Sequence, residues 1–315
     1  MNKYERVKAV LDGKTPDILP AAFWYHFKGI HTPAQYIQAH VEFYDSMDMD
    51  LIKIMNEYPV ELDFEITEAK DFTRIRPQDI PRDDLNKQLD VIKGILDARG
   101  GQCITLATVF SGFKALVRLV GDERLMAYYR ENHDALMTGV RVMHEAVMER
   151  AQAFLQEGVD GLYLSAQHSE PGRMSAEDFA RDIKPDDVAV VELAQAAGKY
   201  SLVHICGEPR FDFVSAPERY ADYPGSIFNW ATHATGVTLS QGRELFKRPV
   251  LGGVFNRGVI CEGTAQQAAQ EVREIVRGFG TQGLIIGADC TLQGTINGEN
   301  IRAAVDAAHE FRCGG

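Results

Sequence analysis

A (β/α)8 TIM barrel with helical decoration at its N-terminus is the fold this sequence predicts, and three observations lead there. Eight short apolar runs alternate with longer amphipathic stretches along 315 residues. The runs are dense in Val, Ile, Leu and Phe without clean alternation, as parallel strands covered on both faces should be. Polar and metal-capable side chains follow the runs, where such barrels build their active sites. An open doubly wound sheet would more often show a Gly-x-Gly-x-x-Gly turn after its first strand, and none is present. No composition break marks a linker, so one domain over residues 1–315 is expected.

The eight runs predict strands over Ile18–Trp24, Leu51–Met55, Gln102–Val109, Gly161–Ser165, Tyr200–Cys206, Ser226–Trp230, Pro249–Val254 and Gly283–Gly287. Between them, Asp122–Glu157 reads as one long helix with apolar residues at Leu125, Leu136, Val140, Val147 and Phe154. Ala176–Ala197 reads as a helix broken by Pro185. Ala265–Phe279 is amphipathic and is stopped by Gly278 and Gly280. Asn300–Phe311 supplies the last helix.

A net charge of −12 argues against nucleic acid and anionic membrane surfaces as partners. No segment reaches the roughly 18 apolar residues of a membrane span. Met1–Arg6 leads into an amphipathic pattern without an apolar signal core. Five cysteines without framework spacing suit a reducing compartment, so a cytoplasmic location is expected.

The chemistry concentrates in His204-Ile205-Cys206 and Cys290. Residues i and i+2 of a strand point the same way, so His204 and Cys206 present an imidazole and a thiol side by side. Cys290 ends another apolar run, and parallel strands bring their C-terminal ends together. One histidine and two thiolates are donors that Zn2+ accepts, and three protein ligands leave a fourth position open, as in catalytic sites. The alternative is that each free cysteine is a small buried hydrophobe. Other strand ends carry Asn56-Glu57-Tyr58, Gln167-His168-Ser169-Glu170, Asn229-Trp230, Asn256-Arg257 and Asp289.

Several motifs resemble the uroporphyrinogen decarboxylase superfamily. Val203-His204-Ile205-Cys206-Gly207 looks like its strand-five signature, Leu251-Gly252-Gly253-Val254-Phe255-Asn256 its strand-seven motif, and Gly287-Ala288-Asp289-Cys290 with Asn297-Gly298-Glu299-Asn300 its last strand and following helix. The resemblance runs from about Lys3 to Phe311. Within it, four departures separate this chain from true decarboxylases. The segment Phe23-Trp24-Tyr25-His26-Phe27 has no arginine for propionates, Asn56 stands where an aspartate holds the pyrroles, Cys290 replaces a histidine, and the chain is acidic.

The resemblance is closer to the zinc-dependent, corrinoid-linked methyltransferases similar to those acting on coenzyme M. It implies Zn2+ on His204, Cys206 and Cys290. It also implies methyl transfer between a corrinoid (methylcobalamin), carried on a partner corrinoid protein, and a small-molecule acceptor, either a thiol or tetrahydrofolate. Asp289 is then a candidate acid for protonating a pterin acceptor, and Glu170, His168 and Glu208 are candidates for a fourth zinc ligand or for support of His204. Asn56, Tyr58, Trp230 and Asn256 are the candidates for cofactor contacts, and a homodimer is the assembly considered. A lyase acting on another carboxylic acid and a corrinoid-binding or metal-carrying protein without turnover are the competing readings.

Overall fold

Seven parallel strands lie in chain order in the computed structural model, which describes residues 1–206 and 214–314. They are β1 (Leu51–Ile54), β2 (Ile104–Phe110), β3 (Gly161–Ala166), β4 (Tyr200–Ile205), β5 (Ile227–Trp230), β6 (Val250–Val254) and β7 (Leu284–Ala288). Each pairs only with its sequence neighbours in the sheet, and helices occupy the connections, as the crossovers between parallel strands require.

Side-chain parity divides the apolar residues into two layers. Leu51, Leu106, Tyr163, Leu202, Ile227, Leu251 and Ile285, one from each strand, share a single buried cluster. Seven strands can meet in one cluster only if the sheet curls around it. The helix Lys3–Leu11 adds Val7, Val10 and Leu11 to this cluster. Residues of opposite parity, such as Val203, Phe228 and Trp230, join the larger cluster under the surrounding helices.

The eighth strand, expected over Ile18–Trp24, does not form as a regular strand. Its segment lies beside β7, with Ile286 N donating to Pro20 O (2.9 Å) and Ala22 N to Ile286 O (2.8 Å). Toward β1, Asp50 N donates to Ala21 O (3.0 Å), but Ala21 N and Phe23 N donate to the Asp50 carboxylate (2.9 Å) and the Met49 sulfur (3.2 Å). Side chains have replaced the carbonyls of a ladder, and Pro20 has no N–H to offer. Isolated bridges are the result.

The helix expected over Asp122–Glu157 is two helices, Asp122–Glu131 and His133–Gln156. Asn132 between them leaves the helical region, at φ −151° and ψ 77°, and its side chain caps the second helix by accepting from Ala135 N. Pro185 divides Ala176–Asp182 from Lys184–Ala196 and sits in the first turn of the latter, where a missing N–H costs nothing. Ala265–Phe279 forms as expected, and the last helix spans Gly298–His309.

His40 locks the helix Pro33–Met47 to the end of β1. Its Nδ1–H donates to Tyr36 O (2.7 Å), and its Nε2 accepts from Met55 N (3.0 Å). Burial pushes this imidazole from 6.5 down to about 4. The unfolded chain therefore takes the proton first, and stability present above pH 6.5 is lost as pH falls from 6.5 toward 4. A shift of that size corresponds to about 3 kcal/mol. His40→Gln keeps one donor and one acceptor without a titrating ring. Its denaturant midpoint should fall less steeply across this window than that of the parent, and equal slopes would refute the assignment.

Candidate metal centre

β4 delivers the site by parity. Leu202 points into the inner cluster, so His204 and then Cys206 follow on the same side at the strand's C-terminal end. Cys206 N is fixed by Ala166 O of β3 (2.8 Å). Cys290 lies two residues past the end of β7. The three donor atoms lie within 4.8 Å of one another, and Cys290 Sγ is 3.4 Å from His204 Nε2. Tetrahedral zinc with Zn–S of about 2.3 Å and Zn–N of about 2.0 Å holds neighbouring nitrogen and sulfur donors roughly 3.5 Å apart. The donor set and its spacing therefore fit zinc.

The donors open onto a cavity of about 270 Å³ at the C-terminal ends of the strands, lined also by Lys53, Asn56, Thr108, Tyr163 and Ser165. His204 is gripped on two sides. Its Nδ1 meets Asn229 Oδ1, and its ring stacks on Tyr163 with centroids 5.4 Å apart and planes 27° apart. Lys53 projects into the same space from β1. Its Nζ donates to Met55 Sδ (3.0 Å) and sits 4.4 Å over the Tyr163 ring. Burial pushes its ammonium from 10.5 down to about 8, against the opposing pull of Cys290, Glu57 and Cys206. Lys114 and Arg118 also line the cavity, so its wall is cationic although the chain is acidic.

The structure brings His204, Cys206, Cys290 and Asn56 together. Asn56 Nδ2 donates to Thr108 O (3.2 Å), while its buried Oδ1 has no hydrogen-bond partner. The other expected residues stand outside the cavity lining. The Asp289 carboxylate accepts from Thr232 Oγ1 (2.7 Å) and His233 N (2.9 Å) and pairs with His233 Nδ1 (2.8 Å), an interaction that raises the His233 pKa. His168 faces Asp122 (3.5 Å) with its backbone at φ 69°. Burial favours the neutral Asp122 carboxyl, but bonds from His168 and Arg173 outweigh it and hold that group below its usual range. Glu170 is buried with Oε2 unpartnered. His204 is supported by Asn229 rather than by His168 or Glu170, and Glu208 lies outside the described residues.

Three of the four expected cofactor contacts, Trp230, Tyr58 and Asn256, are engaged within the protein outside the cavity lining. Trp230 is wholly buried in the outer layer, its Nε1 donating to Val237 O (2.8 Å). Tyr58 turns its hydroxyl to His31 O (3.3 Å) and its ring to Tyr36. Asn256 Nδ2 donates to Thr291 O (3.2 Å). The sequence names Asn229 at a strand end without giving it a role, and it does not single out Lys53 or Tyr163. All three lie on inward parity positions, which is the signal that could have found them.

Solved structures share this fold at low sequence identity. A methyltransferase from Methanosarcina mazei is 16% identical, with a TM-score of 0.79 over 98% of this chain and 99% of the other. A B12-independent methionine synthase from Shewanella sp. W3-18-1, in complex with selenomethionine, is 12% identical with a TM-score of 0.58 over 93% of each chain. A putative vitamin-B12 independent methionine synthase from Listeria monocytogenes is 13% identical with a TM-score of 0.54, over 88% of this chain and 86% of the other. No curated protein matches by sequence. Residues 40–311 match the uroporphyrinogen decarboxylase (URO-D) family, and a match of that extent makes this chain a member of it.

Proposed function

We propose that the protein is a zinc-dependent methyltransferase that moves a methyl group between a corrinoid, carried on a partner protein, and a thiol or folate acceptor. The observation that carries this reading is the convergence of His204, Cys206 and Cys290 at the cavity wall. Zinc held there would supply Lewis acidity, favouring the thiolate of a bound acceptor. The protein's own residues do the rest. His204 is oriented by Asn229 and Tyr163, and Lys53 places a cation beside the two cysteines in a poorly hydrated wall. That cation offsets negative charge as an ionised acceptor enters, and Lys114 and Arg118 suit an acceptor with an anionic end. A cavity open at the strand ends leaves a path for a corrinoid. We read residues 18–25 as the irregular stave that completes an eight-stranded barrel, and place the enzyme in the cytoplasm, where its thiols stay reduced.

The test is consumption of methylcob(III)alamin, followed by its absorbance, by zinc-loaded protein offered thiols and tetrahydrofolate in turn. Turnover with one acceptor class is expected. A fully zinc-loaded protein that demethylates the corrinoid with neither class would overturn the proposal. Release of carbon dioxide from a carboxylic acid would favour the lyase instead.

A further inference from the structure

We infer that Asn229 is a positioning residue that fixes the tautomer of His204 and aims its Nε2 at the metal position. The inference rests on the reading of His204, Cys206 and Cys290 as metal ligands. Asn229 is fully buried, and all its contacts are made within the protein. Its Nδ2 lies 2.8 Å from Leu251 O and 3.0 Å from Ala288 O. Carbonyls only accept, so the amide nitrogen must face them and its orientation is not interchangeable. The amide oxygen is left facing His204 Nδ1. Oxygen only accepts, so Nδ1 must carry the proton. A neutral imidazole has one N–H, so Nε2 keeps its lone pair, on the side where Cys290 Sγ lies 3.4 Å away.

The strands are built to hold this amide. His204 and Asn229 are direct partners in the β4–β5 register, so both point inward at one level. Immediately after Leu251, whose carbonyl Asn229 uses, Gly252 and Gly253 adopt φ +153° and +104°, conformations that side-chain-bearing residues rarely take. Ala288, the other acceptor, stands two residues before Cys290. One side chain thus connects the strand bearing His204 to the strand that leads into Cys290. Outer partners of ligating histidines commonly set ring orientation and basicity in this way.

Two variants separate orientation from mere strand tying. Asn229→Asp and Asn229→Leu both lose the two donated bonds, but only Asp keeps an acceptor for His204 Nδ1. Zinc affinity, measured by competition with a chromophoric chelator, should stay close to the parent's in Asn229→Asp and fall about 10–100-fold in Asn229→Leu. Equal weakening in both would mean that Asn229 only ties strands, and would overturn the inference. The native protein gives a second readout. Nitrogen-15 spectra of its histidines should show His204 protonated at Nδ1, with Nε2 shifted on zinc loading. Metal at Nδ1, or a proton at Nε2 in the zinc-free protein, would also overturn it. Native protein that binds no zinc while keeping the Nδ1–H tautomer would defeat the metal-site reading and leave the role of Asn229 in fixing the tautomer standing.

Discussion

Cys206→Ser, Cys290→Ser and His204→Ala should each reduce bound zinc from about one per chain to a small fraction and lower methyl transfer by more than about 100-fold, beyond what loss of an outer partner usually costs. The geometry gives the reason. The three donors converge within 4.8 Å from two different strand ends, and no described His, Cys, Asp or Glu stands in the same cluster as a substitute. A serine oxygen is a harder and more weakly acidic donor than a cysteine sulfur, so it does not restore the site. The fold should survive. His204 and Cys290 sit at the C-terminal ends of strands whose preceding residues, Leu202, Val203, Ile285 and Ile286, are already wholly buried. Metal analysis of chelator-washed protein and a melting curve would be run beside the corrinoid assay. A full zinc complement in any of the three variants would remove that residue from the ligand set. Lost activity with zinc retained would point to a catalytic role separate from ligation.

The placing of His204 beside Cys206 was legible because strand parity is strict. Once Tyr200–Ile205 is a strand, the i, i+2 relation puts His204 and Cys206 on one side regardless of what the rest of the chain does. The same rule, applied to β5, would have chosen Asn229 over Trp230. Ile227 belongs to the inner cluster, so Asn229 is inward and Trp230 outward. Lys53 was hidden for a different reason. A lysine in Leu51–Ile54 reads as a solvated interruption, and only the curl of the sheet shows that its position is interior. Asp289 was unreadable because its partners Thr232 and His233 lie more than fifty residues away, and sequence spacing says nothing of such a contact. The irregular segment at residues 18–25 followed the predicted location but not the predicted regularity, since the Asp50 and Met49 side chains capture backbone donors that a ladder would use.

Asp50 supports the largest expected effect on stability. It is fully buried just before β1, at the end of the sheet opposite the cavity. One carboxylate oxygen accepts from Arg6 Nη1 (2.6 Å), and the other accepts from Ala21 N (2.9 Å) and His309 Nε2 (2.8 Å). Arg6 belongs to the first helix, Ala21 to the segment beside β7, and His309 to the last helix, so one residue joins four parts of the chain. Arg6 is itself buried, and its remaining carboxylate partner is Asp17. Asp50→Ala would leave the guanidinium short of counter-charge and the Ala21 N–H without an acceptor. Breaking such a buried pair from one side costs about 3–5 kcal/mol. With about 2.1 cal/mol/K of unfolding entropy per residue, a chain of 315 residues shifts by roughly 1.5 °C per kcal/mol, so the melting temperature should fall by about 5–8 °C. Arg273→Ala, which removes the more exposed pair with Glu310, should cost no more than about 1 kcal/mol and serves as the comparison. Zinc content should be unchanged in Asp50→Ala at temperatures where it is folded, because the cluster lies at the other end of the strands. If the two variants melt within about 1 kcal/mol of each other, the buried network is not what closes this end of the fold.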